Sequence, residues 1–335
     1  MLFRSPDDTG HAAGPGWVIG ATPIAGPERL RLDDVGALNV LFSDAFTERY
    51  RRDGLVGVRV PPLNPMVWRY AIEGAGAGAL CWRDATGALA AFNLAHVSGG
   101  EGWMGPLAVR DDCQGAGQGK SVVRAGIAHL AAQGCRTIGL ETMPRTVDNI
   151  GFYSRLEFVP GYLTTTLTLD ASSTERAGEL LTLHGAAARD DAIAACAALC
   201  ATLQRDLDFT SEIRLTHELA LGDTVIVRRG EAIVAFAVCH AAPLVEGRGR
   251  DELRVLKLVA LDEAAFIELL ARLAAVARRS ATSRVAIRMQ GEYHAAYAAA
   301  VRAGARVRWT DLRMTLASHP QPVPPAGILL SNWEI

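Results

Sequence analysis

The feature that most restricts how this chain can fold is that it nearly repeats itself. GALCWRDATGALAAFNLAH, from Gly78, can be laid over DTVIVRRGEAIVAFAVCH, from Asp223. Each gives a strand, a polar turn with glycine and a second strand containing Ala-Phe, with the near-alternation of a β-hairpin. A further strand follows in both (GWMGPLAV, LRVLKLVA), then a helix, a short strand (TIGLETM, RVAIRMQ), another helix and a last strand (TTTLTLD, DLRMTLA). The helical lead-in is doubled too, LDDVGALNVLFSDAFTERYRRDG from Leu32 against DDAIAACAALCATLQRDLD from Asp190. Gly78 to Asp170 thus recurs from about Asp223 to Leu316. At 335 residues the chain exceeds the size at which one core usually stops growing, so two copies of one α/β fold are expected. The boundaries expected are a tail at 1–16, a first domain at 17–170, a polar linker at 171–179, a second domain at 180–317 and an extension at 318–335.

Composition narrows the partners. A net charge of −2 with scattered arginines leaves no basic face for nucleic acid, whose binding rests on clustered phosphate contacts. The first sixteen residues mix prolines, glycines and acids where a signal peptide needs an unbroken apolar stretch. The longest apolar run, AIVAFAVCHAAPLV from Ala232, is interrupted by His240 and Pro243 and falls short of the roughly 18 residues a membrane span requires. Six cysteines (81, 113, 135, 196, 200, 239) without CxxC spacing argue for reduced thiols in a cytosol. Cys196 and Cys200, four apart in an alanine-rich helical stretch, lack two further ligands and read as core filler, so no metal is expected. The proline-rich end SHPQPVPPAGILLSNWEI closes on an apolar stretch with Trp333, which is expected to dock.

QGAGQGKS, residues 114–121, is the stretch built for an anion. A Walker A loop needs glycine where Gln114 stands, and a G-x-G-x-x-G fingerprint fails because the glycines fall at 115, 117 and 119. Consecutive amides at a helix N-terminus bind an anion through oriented N–H donors and the helix dipole. Each such charge-assisted bond contributes on the order of 1.5–3 kcal/mol before desolvation is deducted. Glycine lets the oxygens approach and permits φ > 0, where other residues lose about 1–2 kcal/mol. Lys120 adds a point charge. The helix that follows carries Val123, Ile127 and Leu130 on one stripe and ends at Gly134, as a C′ glycine would. In the next strand Ile138, Leu140 and Thr142 point one way and Gly139, Glu141 and Met143 the other. Thr146 is placed to cap the helix bearing Ile150, Tyr153 and Leu156.

Gln114, Gly117 and Gly119 form Q-x-x-G-x-G at a strand-to-helix corner, and Tyr153-Ser-Arg-Leu-Glu157-Phe158 is similar to Y-x-x-x-G-F. With the order hairpin, strand, glycine loop, helix, strand, tyrosine helix and final strand, Gly16 to Asp170 resembles the GNAT superfamily of acyl-CoA-dependent N-acyltransferases, most specifically over residues 103–158. The resemblance implies two GNAT-like domains, each a mixed, largely antiparallel twisted sheet flanked by helices (α+β), the first catalytic and the second degenerate. It implies acetyl-CoA as cosubstrate, its pyrophosphate on the backbone of Gln114, Gly115, Ala116, Gly117, Gln118, Gly119 and Lys120. The pantetheine arm would lie like an extra strand in a splay between strands ending near Val109 and Met143, with Leu107, Val109, Asn149 and Phe152 against the cosubstrate. It also implies an amine acceptor, on a small molecule or peptide, and Tyr153 beside the thioester sulfur. Two positions depart from the pattern: Glu157 stands where the motif has glycine, and Thr146 where relatives often have asparagine, the nearest being Asn149.

An amine of pKa about 10.4 costs roughly 4.6 kcal/mol to deprotonate at pH 7, an α-amine only about 1.4 kcal/mol, so a general base matters more for the first. Glu141 is the carboxylate placed for that role, beside the splay; Glu101, at a turn, is a weaker candidate, and GPLAV offers none. Tyr153 serves the departing thiolate by hydrogen bonding, because full proton transfer from a phenol to a thiolate is uphill by roughly 2 kcal/mol. In the second copy Leu261-Asp262-Glu263-Ala264-Ala265 replaces the glycine loop with carboxylates that would repel a pyrophosphate, and Ala300 takes the tyrosine's place. Tyr293 and Tyr297 read as a packed helical face. The acceptor cleft is expected from the early helices and the loop PPLNPMVWRY, with Trp68, Tyr70, Trp82 and Trp103 as lining and Asp44 and Glu73 for a cationic acceptor. Rival readings are an acyl-CoA-binding sensor or pseudoenzyme acting through a protein partner, and a P-loop hydrolase; oligomeric state stays open.

Overall fold

The first repeat forms β1 (Ile24–Arg29), α1 (Val35–Arg52), α2 (Pro65–Ala75), β2 (Ala79–Asp84), β3 (Leu89–Ser98), β4 (Glu101–Val109), α3 (Gln118–Ala132), β5 (Thr137–Thr142), α4 (Val147–Ser154) and β6 (Phe158–Asp170). The second forms β7 (Glu179–Leu180), α5 (Ala186–Leu203), α6 (Thr210–Glu218), β8 (Gly222–Arg229), β9 (Ala232–His240), β10 (Glu252–Ala260), α7 (Glu263–Arg279), β11 (Arg284–Gln290), α8 (His294–Arg302) and β12 (Arg306–Leu316), followed by β13 (Ile328–Ser331). The computed structural model describes residues 21–172 and 178–331. The expectations for the tail, most of the linker and Trp333 lie outside the described residues.

Local chemistry accounts for most of these elements. Gly134 ends α3 at φ +77°, with its amide on the Ala131 carbonyl and that of Cys135 on Leu130. Gly126 lets α3 lie close to the sheet: a Cβ there would meet Asn93 Nδ2 and Met104 Sδ at 2.5 Å. Two expectations are corrected. The segment from Pro61 is not all loop, because Asn64 caps α2 by accepting from the Met66 amide and Pro65 fits the first turn. Thr146 precedes α4 but does not cap it; its hydroxyl donates instead to Asp53 Oδ2 at 2.6 Å.

The two copies share one sheet. The strand order is β1-β2-β3-β4-β5-β12-β6-β11-β10-β9-β8-β7, with β13 paired to β10. Each repeat therefore gives its last strand away: β12 of the second lies against β5 of the first, and β6 of the first against β11 of the second. β4 pairs with β5, and β10 with β11, in parallel; the other strand pairs are antiparallel.

Both parallel pairs come apart. β4 and β5 are bonded only from Glu101–Met104 to Thr137–Leu140, and β10 and β11 only from Glu252–Val255 to Arg284–Ile287. In the second copy the gap is taken by β13, whose Ile328–Ser331 runs antiparallel along Lys257–Ala260. In the first copy the gap is the wall of a cavity.

Candidate active site

Strands β4 and β5 diverge beyond Met104 and Leu140, and the corner from β4 into α3 sits at the end of that gap. Gly115 and Gly117 adopt φ +93° and +80°, so the conformation itself calls for glycine. Gly117 precedes α3 without any side chain capping the helix, and the amides of residues 115–119 donate to no described residue. Gln114 braces the corner through Nε2 on the Val109 carbonyl at 2.8 Å, and Arg52 reaches its Oε1.

A cavity of about 800 Å³ runs from this corner through the gap. Leu107, Val109, Gln114, Gly115, Gly117, Gly119, Lys120, Asn149, Phe152, Tyr153 and Glu141 all line it; Ala116 and Gln118 are not in its wall. Tyr153 packs edge-on between Phe152 and Phe158, and burial pushes its phenol up to about 12. That favours donating a hydrogen bond over giving up the proton.

Glu141 is poorly suited to the role of base. It is bonded to Arg288 and, at 2.9 Å, to Arg313 Nε, and accepts from the Thr164 hydroxyl at 2.6 Å. Burial alone would raise its carboxyl, but the two guanidiniums and the hydroxyl hold it down at about 2. A carboxylate so stabilised has little affinity for an amine's proton. The arginines come from β11 and β12, 147 and 172 residues away in sequence, which is why a local reading passed them over. Arg313 also stacks on Trp103, 4.1 Å from its ring centroid, and donates to the Ser331 carbonyl. Glu101 is buried under Gln204, 2.7 Å away, outside the cavity wall.

The remainder of the wall departs from expectation. Trp68, Trp82 and Trp103 are core residues, and Tyr70 packs on His240. Asp44 and Glu73 pair with Arg59 and Arg69. None of these six lines the cavity. Its aromatic side is instead Phe42 and Phe46 of α1, Tyr50, and Trp309 of β12, with Asp311 two residues further on. The segment 60–64 is fixed by Asn39, which bonds both the Leu63 backbone groups and Trp68 Nε1, and by Thr47, which accepts from the Val60 amide. The same segment is bonded to the second copy, Asn64 to the Leu244 carbonyl and Glu246 to that of Pro62. Leu244 and Val245 thereby join the wall. Among the described residues no cluster of potential metal ligands occurs, and no helix is long and apolar enough to cross a membrane.

Residues 44–158 match the acetyltransferase (GNAT) family. Among curated proteins none matches the chain in sequence. Solved structures align along most of the chain. A proposed acetyltransferase from Pyrococcus horikoshii is 14% identical over 95% of this chain and 98% of its own, with a TM-score of 0.63. N-myristoyltransferase of Saccharomyces cerevisiae with bound myristoyl-CoA is 10% identical over 93% and 82%, TM-score 0.63. A tandem GNAT protein from the clavulanic acid biosynthesis pathway is 12% identical over 90% and 99%, TM-score 0.56. At such identities the likeness is one of fold.

Proposed function

We propose, from the match of residues 44–158 to the acetyltransferase (GNAT) family and a fold that resembles a tandem GNAT protein along most of the chain, that the protein is an N-acetyltransferase using acetyl-CoA. The acceptor is the amine of a small molecule or peptide, which attacks the thioester directly. The observation that carries this reading is the uncapped glycine corner opening into a cavity that continues through the strand gap to Tyr153. Acetyl-CoA supplies an activated acyl group; the chain's residues supply its seat. The free amides at 115–119 and Lys120 suit the pyrophosphate, the exposed edge of β4 at 105–109 suits the pantetheine amides, and Tyr153 suits the sulfur. Among the described residues no cysteine or serine lines the cavity, which favours direct attack over a covalent acyl-enzyme.

Calorimetry with acetyl-CoA, CoA and Mg-ATP tests the seat. Wild-type protein should bind the first two, and Gly117→Glu, which puts a carboxylate and a strained backbone at the corner, should weaken them by 100-fold or more, about 3 kcal/mol, through lost charge-assisted bonds. Equal binding by both proteins would remove the corner from the site. Release of free CoA thiol over a panel of amines then reports turnover.

A further inference from the structure

Building on the acyltransferase reading of the cleft, we propose that Asp311, carried on the exchanged strand β12, accepts the proton of the acceptor's amine. The acceptor itself is a primary amine on an apolar body of aromatic-ring size, seated between α1 and the 60–63 and 244–245 segments.

Among the described residues Glu141 and Asp311 are the acids of the cavity wall, and the cations beside them are divided unequally. Glu141 holds Arg313, one arm of Arg288 and the Thr164 hydroxyl. Asp311 has the other arm of Arg288 at 2.9 Å and the Trp309 indole N–H at 3.2 Å. Arg313 is committed to Glu141 and to the Ser331 carbonyl. Burial raises the Asp311 carboxyl; Arg288 pulls it down and the Glu141 charge pushes it up again. Of two neighbouring carboxylates driven apart in this way, the higher is the one fitted to exchange a proton.

The cavity that Asp311 lines also has a wall that is largely hydrocarbon. Phe42 and Phe46 stack with ring centroids 4.5 Å apart, and Val60, Pro61, Leu244 and Trp309 complete the chamber. A single available acid in such a place suits a single ammonium. A polyamine or polyhydroxylated amine would leave its other polar groups desolvated without partners.

The step balances. The ammonium passes one proton to Asp311, and the freed lone pair on nitrogen forms the C–N bond at the thioester carbonyl. The C–S bond breaks with its electron pair on sulfur, which the Tyr153 hydroxyl stabilises by donating a hydrogen bond, and the nitrogen's second proton ends on that sulfur. Asp311 then releases its proton to solvent, so ammonium and thioester become amide, CoA thiol and one proton.

The test measures thiol release from acetyl-CoA with phenethylamine, 4-ethylaniline and spermidine, using wild type, Asp311→Asn, Asp311→Glu and Phe46→Ala, alongside acetyl-CoA calorimetry on each. Asp311→Asn should bind acetyl-CoA normally yet lower kcat for phenethylamine by about 10²- to 10⁴-fold, the range for loss of a general base. It should lose far less with 4-ethylaniline, which is already neutral at pH 7, and Asp311→Glu should recover part of the rate. Phe46→Ala should raise KM for phenethylamine severalfold and decides the acceptor class should Asp311→Asn fold poorly. Wild-type rates in Asp311→Asn, preference for spermidine, or acetyl-CoA binding without turnover of either apolar amine would overturn the proposal. Failure of the wild type to bind acetyl-CoA would instead remove the acyltransferase reading beneath it.

Discussion

The two copies begin with the same gap between a pair of parallel strands, and they treat it in opposite ways. In the first copy the edge of β4 beyond Met104 faces a cavity, and the helix at its end starts on bare glycine amides. In the second, β13 bonds to β10 over the corresponding stretch, and Asp262 caps α7 by accepting from the Ala265 amide while pairing with Arg229 at 2.6 Å. One copy leaves main-chain donors open for a ligand; the other satisfies them with its own chain. Because buried backbone groups must be paired by something, such a gap needs a partner for its open edge, from a ligand, from water or from the protein itself. The second copy's exchanged strand, meanwhile, carries Trp309 and Asp311 to the first copy's cavity.

The firmest challenge to that division of labour is Glu141→Gln. Glu141 ties β5 of one copy to β11 and β12 of the other through two buried guanidiniums. Removing its charge leaves Arg313 without its carboxylate and Arg288 with Asp311 alone, a loss of about 3–5 kcal/mol. Denaturant unfolding should register it, and a variant as stable as the wild type would mean that the copies are not coupled there. The pH dependence sharpens the point. A carboxyl held at about 2 in the folded state and near 4.3 when unfolded contributes stability that is complete above the unfolded value and fades as pH falls toward 2. The difference in stability between wild type and Glu141→Gln should therefore shrink on acidification from pH 6 to pH 3.

Leu330 and Leu107 probe the two gaps directly. Leu330 sits in the strand that fills the second gap and is 2% exposed, so truncation to alanine should cost about 2–5 kcal/mol with acetyl-CoA affinity unchanged. Leu107, half-buried on the open edge, should lose less than about 1 kcal/mol on truncation, since a partly exposed side chain leaves little cavity, and should weaken acetyl-CoA severalfold. Thermal unfolding and calorimetry separate the two patterns. Calorimetry should also return one acetyl-CoA per chain; two would show that β13 is displaced and that the gaps are alike.

What could be read from the sequence was whatever depends on neighbours along the chain. The doubled hairpins, the α3 stripe with its terminal glycine and the alternation in β5 rest on periods of two or 3.6 residues, and the glycine corner on local backbone freedom. The exchange of β6 and β12 was not legible. TTTLTLD and DLRMTLA alternate alike, and nothing within either strand says which edge it will join. With the exchange went the arginines that neutralise Glu141 and the whole Trp309–Asp311 side of the cavity. A signal was present in the charges of RVAIRMQ and DLRMTLA, since charged groups inside otherwise apolar strands need partners when buried.

The smallest expected effect lies where the copies differ by one backbone requirement. Glu157, which departs from the Y-x-x-x-G-F pattern, adopts φ +69°; its counterpart Gly304 adopts φ +96° with nothing within 4 Å of a built Cβ. The turn after the fourth helix of each copy thus calls for the left-handed region in both, and the first copy meets it with a residue that is strained there. Glu157→Gly should relieve part of a penalty of about 1–2 kcal/mol, offset by the extra freedom glycine gives the unfolded chain. The net gain is expected to stay below about 1 kcal/mol, while Gly304→Ala should cost about 1 kcal/mol, with the transfer rate unchanged in both. Urea unfolding of the two variants decides it: opposite signs support a shared conformational demand, whereas destabilisation by both would mean that Glu157 makes a compensating contact of its own and that the turns have diverged as the gaps have.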